Sequence, residues 1–277
     1  MRSSLNIKNK LNMIYKMEND SIFQILEYDD LNGADDVQSA FALNVIKRGD
    51  IKLKQIRIEL DDSAVRIEPG ALSYMKGDIN ISTKSGGVFG FGKKLLSSKI
   101  TNETLFKPEY SGTGEIFLEP SFSNFALIEL EDDDIIIDDG LFYACETSVD
   151  VSVQAQKNLS SMMLGNEGVW QTSLGGSGIV ALEIPVPESE IFKCVLIDDT
   201  LKVDGNFAIL RTGNIEFSVE KSAKTIAGSI VNKEGLVNVY RGTGEVWLAP
   251  TKSVYSKLKM QGLSEMRKSQ HDSNTEE

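Results

Sequence analysis

One heptapeptide pattern recurs three times along the chain, as Gly112-Thr113-Gly114-Glu115-Ile116-Phe117-Leu118, Gly176-Ser177-Gly178-Ile179-Val180-Ala181-Leu182 and Gly242-Thr243-Gly244-Glu245-Val246-Trp247-Leu248, at spacings of 64 and 66 residues. Self-similarity at a fixed period constrains a fold more than local propensity does, because each copy must then be one small unit built to sit beside its neighbours. The flanks agree. Tyr110 and Tyr240 stand two residues before the first glycine of copies one and three, Pro120 and Pro250 close those copies, and copy two has Leu174 and Pro185 in looser correspondence.

A second landmark lies upstream, where Ile67-Glu68-Pro69-Gly70, Ile137-Asp138-Asp139-Gly140 and Val203-Asp204-Gly205-Asn206 each precede an alternating stretch, with Ile79, Val149 and Ile215 nine residues after Gly70, Gly140 and Asn206. Exchange of Gly for Asn predicts a turn with positive φ at this position, since these residues most readily adopt it. Runs such as Ile79-Asn80-Ile81-Ser82, Val149-Asp150-Val151-Ser152-Val153 and Ile215-Glu216-Phe217-Ser218-Val219 alternate with period two, as half-buried strands do. The paired glycines fit a corner or bulge in a curved sheet. The chain is therefore expected to be all-β, with three tandem copies in pseudo-threefold relation, each a small barrel or sandwich. The divisions are 1–54 (leader and opening strands), 55–120, 121–185 and 186–250 for the copies, and 251–277 for a short amphipathic helix and disordered tail. Residues 18 to 54, with Asp29, Asp30, Asp35 and Asp36, read as an acidic, weakly structured lead-in.

From Gly140 to Gly176 and from Asn206 to Gly242 is 36 residues, but from Gly70 to Gly112 is 42. The excess falls in the Gly-rich stretch 85–96 of copy one, and an insertion confined to one copy is where a repeat protein carries individuality. Lys84 to Lys99 holds four lysines and no acid, in a chain of net charge −12. Gly86, Gly87, Phe89, Gly90, Phe91, Gly92, Lys93 and Lys94 thus form a candidate interaction loop, suited to a membrane surface or a protein partner. The plainer reading is a Gly-rich crossover whose phenylalanines pack within or between protomers. Gly87 to Lys94 also approaches the phosphate-binding pattern Gly-x4-Gly-Lys-[Ser/Thr], but Lys94 occupies the hydroxyl position and no βαβ context surrounds it.

Charge and residue counts exclude further classes. A net charge of −12 opposes polyanion binding, which makes nucleic acid an unfavoured partner. No stretch approaches the eighteen apolar residues of a spanning helix, and the first twenty residues lack the continuous apolar core of a secretory signal. Cys145 and Cys194 lie in apolar runs, as buried free thiols of a reducing cytoplasm do. His271 is the single histidine and lies in the polar tail, so a Ser-His-Asp triad, Cys-His pair or His-based metal site in the core is excluded by count. Glu129 to Asp139 contains seven acidic residues, but Asp61-Asp62 and Asp198-Asp199 occupy similar places in the other copies, which favours a hairpin turn over paired catalytic carboxylates or a calcium loop. Phe117, Ala181 and Trp247 share one repeat position, and a place that takes both Trp and Ala is expected to serve packing.

The Ile-Glu-Pro-Gly-Ala turn at 67–71, the Gly-Gly-Val-Phe-Gly loop running into Lys-Lys-Leu-Leu, and the closing Gly-Thr-Gly-Glu-Val-Trp-Leu resemble the Altered Inheritance of Mitochondria family, a domain of unknown function, over about residues 55 to 250. The resemblance implies three fused double-stranded β-helix domains similar to the trp RNA-binding attenuation protein, with three chains closing a nine-domain ring. It implies no established enzymatic activity, a link to inner-membrane organisation in mitochondria, and no functional residues to carry over. The combined expectation is a non-catalytic homotrimeric scaffold or adaptor without cofactor or metal, cytoplasmic or membrane-peripheral, acting through a protein partner or membrane surface. Its structural turns are Gly70, Gly140, Asn206, Gly112, Gly114, Gly176, Gly178, Gly242 and Gly244. The alternatives are a nucleotide-binding protein using the Gly-rich Lys loop, or an RNA-binding ring.

Overall fold

The computed structural model describes residues 11–82, 107–155, 170–221 and 236–258. Within them the chain forms β1 (Asn12–Glu18), β2 (Ser21–Glu27), α1 (Val37–Arg48), β3 (Lys54–Ile67), β4 (Leu72–Ser82), β5 (Glu109–Leu118), β6 (Asn124–Ile137), β7 (Phe142–Glu146), β8 (Val149–Ala155), β9 (Trp170–Ile184), β10 (Phe192–Val203), β11 (Ala208–Thr212), β12 (Ile215–Lys221) and β13 (Leu236–Leu248). The strand pairs whose registers are resolved are antiparallel, so the all-β class holds. Residues 252–258 are helical, and the expected disordered tail lies outside the described residues.

The chain divides into two compact units. The first comprises Met1–Asp132, Phe142–Asp150 and Gly176–Glu183, the second Asp133–Leu141, Val151–Gly175 and Ile184–Glu277. These bounds cut across the middle sequence copy, because ladders form between strands of successive copies. In the first unit, β7 of copy two pairs with the C-terminal half of β3 of copy one; in the second, β11 of copy three pairs with the end of β6 of copy two.

In the first unit β1, β2, β3, β5 and β4 pair in that order. Alternation places Phe23 and Ile25 of β2, Ile56 and Ile58 of β3 and Ile116 and Leu118 of β5 in one core with Phe125, Leu127, Ala144, Ile179 and Ala181. The second unit buries Leu196, Val203, Ile215, Tyr240 and Val246.

Residues 18 to 54 are not the weakly structured lead-in expected. β2 is core, and the acids have local tasks: Asp36 caps α1, accepting from the amides of Gln38 at 2.7 Å and Ser39 at 3.0 Å, and Asp30 pairs with Lys47 at 2.7 Å and Lys52 at 3.5 Å.

Candidate functional site

The recurring Gly-[Thr/Ser]-Gly segments lie in β5, β9 and β13, and each faces an aspartate at positive φ on a neighbouring long strand: Asp62 (φ 51°) on β3, Asp132 (φ 61°) on β6 and Asp198 (φ 48°) on β10. Opposite Thr113 and Thr243 two residues stand against one, since the register steps from Leu60 to Ser63 and from Leu196 to Asp199. This is a β-bulge, which bends and twists the strand carrying it. The amide turned out of the ladder is satisfied by the central hydroxyl: Asp62 donates to Thr113 Oγ1 at 3.0 Å, Asp132 to Ser177 Oγ at 2.9 Å and Asp198 to Thr243 Oγ1 at 2.9 Å. Asp61-Asp62 and Asp198, expected in hairpin turns, therefore lie in mid-strand bulges, and Asp132 shares their φ and their bond to the central hydroxyl. Aspartate suits both, because its short polar side chain tolerates the left-handed region. The glycines opposite have positive φ throughout, and a Cβ on Gly112 or Gly114 would collide with the Asp78 and Lys76 carbonyls of β4.

At the second landmark Gly70 (φ 85°) and Gly140 (φ 78°) behave as expected, but Asn206 does not have positive φ; Gly205 (φ 99°) takes it one residue earlier. The nine-residue offset placed the turn correctly in two copies and one position late in the third. The interaction loop Gly86, Gly87, Phe89, Gly90, Phe91, Gly92, Lys93 and Lys94 lies outside the described residues.

Two open hollows lie among the described residues of the first unit. One, of about 660 Å³, is ringed by Asp20, Asp61, Asp62 and Glu146. Glu146 is buried and saturated: Oε1 accepts from the Ser21 amide at 2.7 Å, and Oε2 from Asn19 Nδ2 at 3.0 Å and the Ile179 amide at 2.9 Å. Its carboxylate fastens the β1–β2 turn to β7 and β9. Among the described residues no cluster of three or more His, Cys, Asp or Glu side chains is placed to hold a metal ion.

The other hollow, of about 680 Å³, crosses the sheet face opposite the core. Arg57 Nη1 donates to Gln24 Oε1 at 3.0 Å and pairs with Glu59 at 2.9 Å, and Nη2 pairs with Glu115. The guanidinium lies 5.7 Å from the Phe117 ring centroid, and Tyr74 stacks on Phe117 at 4.4 Å. The third copy repeats the triplet, with Lys193 3.0 Å from Glu245 and 5.1 Å from the Trp247 ring centroid, and Trp247 Nε1 donating to Glu245 at 3.2 Å. Burial pushes the Glu245 carboxyl up, but Lys193 and the indole outweigh it and hold it below its ordinary value. The middle copy has Leu127, Ile179 and Ala181 at these positions, all buried. Sequence comparison found the aromatic member of the triplet, and missed the cation because it comes from a different strand.

The ladders between copies are alike in detail. In the first, Val65, Arg66 and Ile67 face Glu146, Cys145 and Ala144, with the Glu68 amide donating to the Tyr143 carbonyl at 2.9 Å and Thr147 to Ala64 at 3.2 Å. In the second, Ile135, Ile136 and Ile137 face Thr212, Arg211 and Leu210, with Asp138 donating to Ile209 at 3.0 Å and Gly213 to Asp134 at 2.6 Å.

Residues 46–251 match the family described as Mitochondrial biogenesis AIM24. The chain belongs to the AIM24 family. An uncharacterised protein of Streptococcus pyogenes serotype M6 is 22% identical over 201 residues, spanning 70% of this chain and 79% of that one. A crystal structure of a protein from Streptococcus pyogenes superposes with a TM-score of 0.55 at 20% identity, covering 75% of this chain and 94% of the other. That likeness concerns the fold. The AIM24 match begins inside α1, so β1, β2 and most of α1 precede it.

Proposed function

We propose that the protein is a non-catalytic β scaffold that assembles head to tail with copies of itself and acts through the surfaces so displayed. One observation carries the reading. The β3–β7 ladder and the β6–β11 ladder are two instances of one docking geometry, and among the described residues the strands that would form a third instance lack that partner: β10 pairs with β13, and β4 with β5.

The equivalences give the register that such a contact would take. Asp62, Asp132 and Asp198 match in φ and in the bond each amide makes to the central hydroxyl, so Leu201, Lys202 and Val203 of β10 stand where Val65 to Ile67 and Ile135 to Ile137 stand. Tyr74 follows a register shift opposite Phe117 as Ala144 does opposite Ala181 and Leu210 opposite Trp247, so Tyr74, Met75 and Lys76 take the other side. Val203 of one copy then faces Tyr74 of the next. Unpaired edges are normally covered. Tyr74 is 52% exposed and Phe192, on β10, 60% exposed. Such contacts are heterologous, and a rotation that closes gives a ring. Closure at three chains is what the family resemblance implies.

The free thiols Cys145 and Cys194 support a cytoplasmic setting. The loop 86–96 is proposed as the contact for a membrane surface or a protein partner. Light scattering coupled to size exclusion tests the assembly: three times the 30.5 kDa chain mass is expected, and a concentration-independent monomer would refute the scaffold.

A further inference from the structure

α1 contributes no side chain to the core of the first unit. None of its residues is buried, and Val37, Phe41 and Val45 are 88%, 72% and 50% exposed. Spaced by four, they form one ridge along the helix. A twelve-residue helix is marginal in water without tertiary packing, so this ridge is unspent apolar surface.

The sequence around the ridge is self-complementary. Val37 and Val45 lie four residues either side of Phe41; Asp35 and Asp36 lie just before the helix, Lys47 and Arg48 end it, and no carboxylate intervenes. Asp35 and Arg48 are exposed.

We propose that α1 is a self-pairing helix, joining two copies of the chain antiparallel with the two Phe41 rings at the twofold axis. Each Val37 then meets Val45 of the second copy, and each Arg48 lies one residue from the level of Asp35 of the second copy, within reach of its side chain. The macrodipoles oppose favourably, and one patch serves both partners, as an isologous contact requires. A parallel pairing would set like charges together. A bilayer with anionic headgroups is disfavoured by Asp29, Asp30, Asp35 and Asp36 around the helix in a chain of net charge −12.

One helix pair buries less than the roughly 1,000 Å² of a stable interface, so pairing is weak for single chains and gains strength when several helices engage together. The contact uses neither β4 nor β10 and does not depend on head-to-tail assembly. If rings of three form, two rings join through three helix pairs.

Site-directed cross-linking tests it on the full chain, in a Cys194→Ser background that leaves only the buried Cys145. Phe41→Cys sits at the axis and is expected to give a covalent dimer on mild oxidation. Val37→Cys alone is expected to give none, and Val37→Cys mixed with Val45→Cys to cross-link. In sedimentation velocity, Phe41→Asp halves the mass of the paired species. Arg48→Asp weakens pairing, and Asp35→Arg with Arg48→Asp in one chain restores it. No Phe41→Cys dimer, or a Val37→Cys dimer formed as readily, overturns the proposal. So does flotation with phosphatidylserine vesicles that Phe41→Asp abolishes while mass stays unchanged. If only head-to-tail assembly fails, Phe41→Cys still gives a dimer of twice 30.5 kDa.

Discussion

At Gly140 a Cβ would have nothing within 4 Å, yet φ is 78°, so any penalty for a side chain there is conformational rather than steric. Gly140→Val is expected to cost about 1–3 kcal/mol, the range for a residue held in a sparsely populated backbone region. Asn206→Val should lie within about 0.5 kcal/mol of the parent, as for an ordinary surface site, because positive φ belongs to Gly205. Urea unfolding of the two variants separates the assignments, and equal losses would restore Asn206 to the turn. Thr113→Val removes the acceptor of the bulged Asp62 amide, an exposed bond, and should cost about 0.5–1 kcal/mol by the same measurement. Glu146→Ala should cost more, about 2–4 kcal/mol, since the Ser21 and Ile179 amides lose their acceptor in a buried setting. The glycines were legible in the sequence because positive φ restricts residue type. Glu146 was not, because its three donors come from Asn19, Ser21 and Ile179, far away along the chain.

The strands bearing the Gly-[Thr/Ser]-Gly segments were legible as elements, while their bulged partners were read as turns. The reason is chemical: an acidic pair with one member at positive φ looks the same in sequence whether the chain reverses there or continues, and only the ladder beyond, such as Ser63 to Arg66 against Gly112 to Glu109, decides it. β2 escaped notice because both its faces are occupied, with Phe23 and Ile25 in the core and Gln24 and Leu26 buried on the other side, which erases period two. The helical stretch 252–258 carries a pH prediction. Glu190 accepts from Thr251 Oγ1 and, at 2.7 Å, from the Tyr255 hydroxyl, and these bonds hold its carboxyl below the ordinary value. A depressed carboxylate contributes stability that is present above its unfolded pKa, about 4.3, and is lost as pH falls through the folded value. Protection of the 252–258 amides, taken relative to the intrinsic exchange rate at each pH, should therefore fall on acidification below about pH 4 while the core strands stay protected, and Glu190→Gln should remove most of that pH dependence. Unchanged protection across that window would show that Glu190 does not anchor the segment.

For the whole molecule, recurrence in sequence becomes recurrence of contact, and the step from one to the other can be read to single-residue precision. In the ladder of the first unit, Glu68 donating to Tyr143 places Ile67 and Ala144 as a non-hydrogen-bonded pair; Asp138 donating to Ile209 does the same for Ile137 and Leu210. Such pairs bring Cα atoms to about 4.5 Å, within the range a disulfide spans. The third member of the series is Val203 with Tyr74 of the next copy, its amide bond running from Asp204 to the Ser73 carbonyl. A chain carrying Val203→Cys and Tyr74→Cys, with Cys194→Ser, should therefore oxidise to covalent multimers, and closure at three would leave a single terminal species of three times 30.5 kDa with no free thiol at either substituted position. Moving one cysteine by a single residue, to Lys202→Cys with Tyr74→Cys, turns the side chain to the other face of its strand and should abolish the cross-link. A ladder of unlimited length would mean that the contact exists but the rotation does not close. Equal cross-linking in both registers would mean that β10 and β4 meet only by collision, and the docking geometry of the two internal ladders would then end with the chain itself.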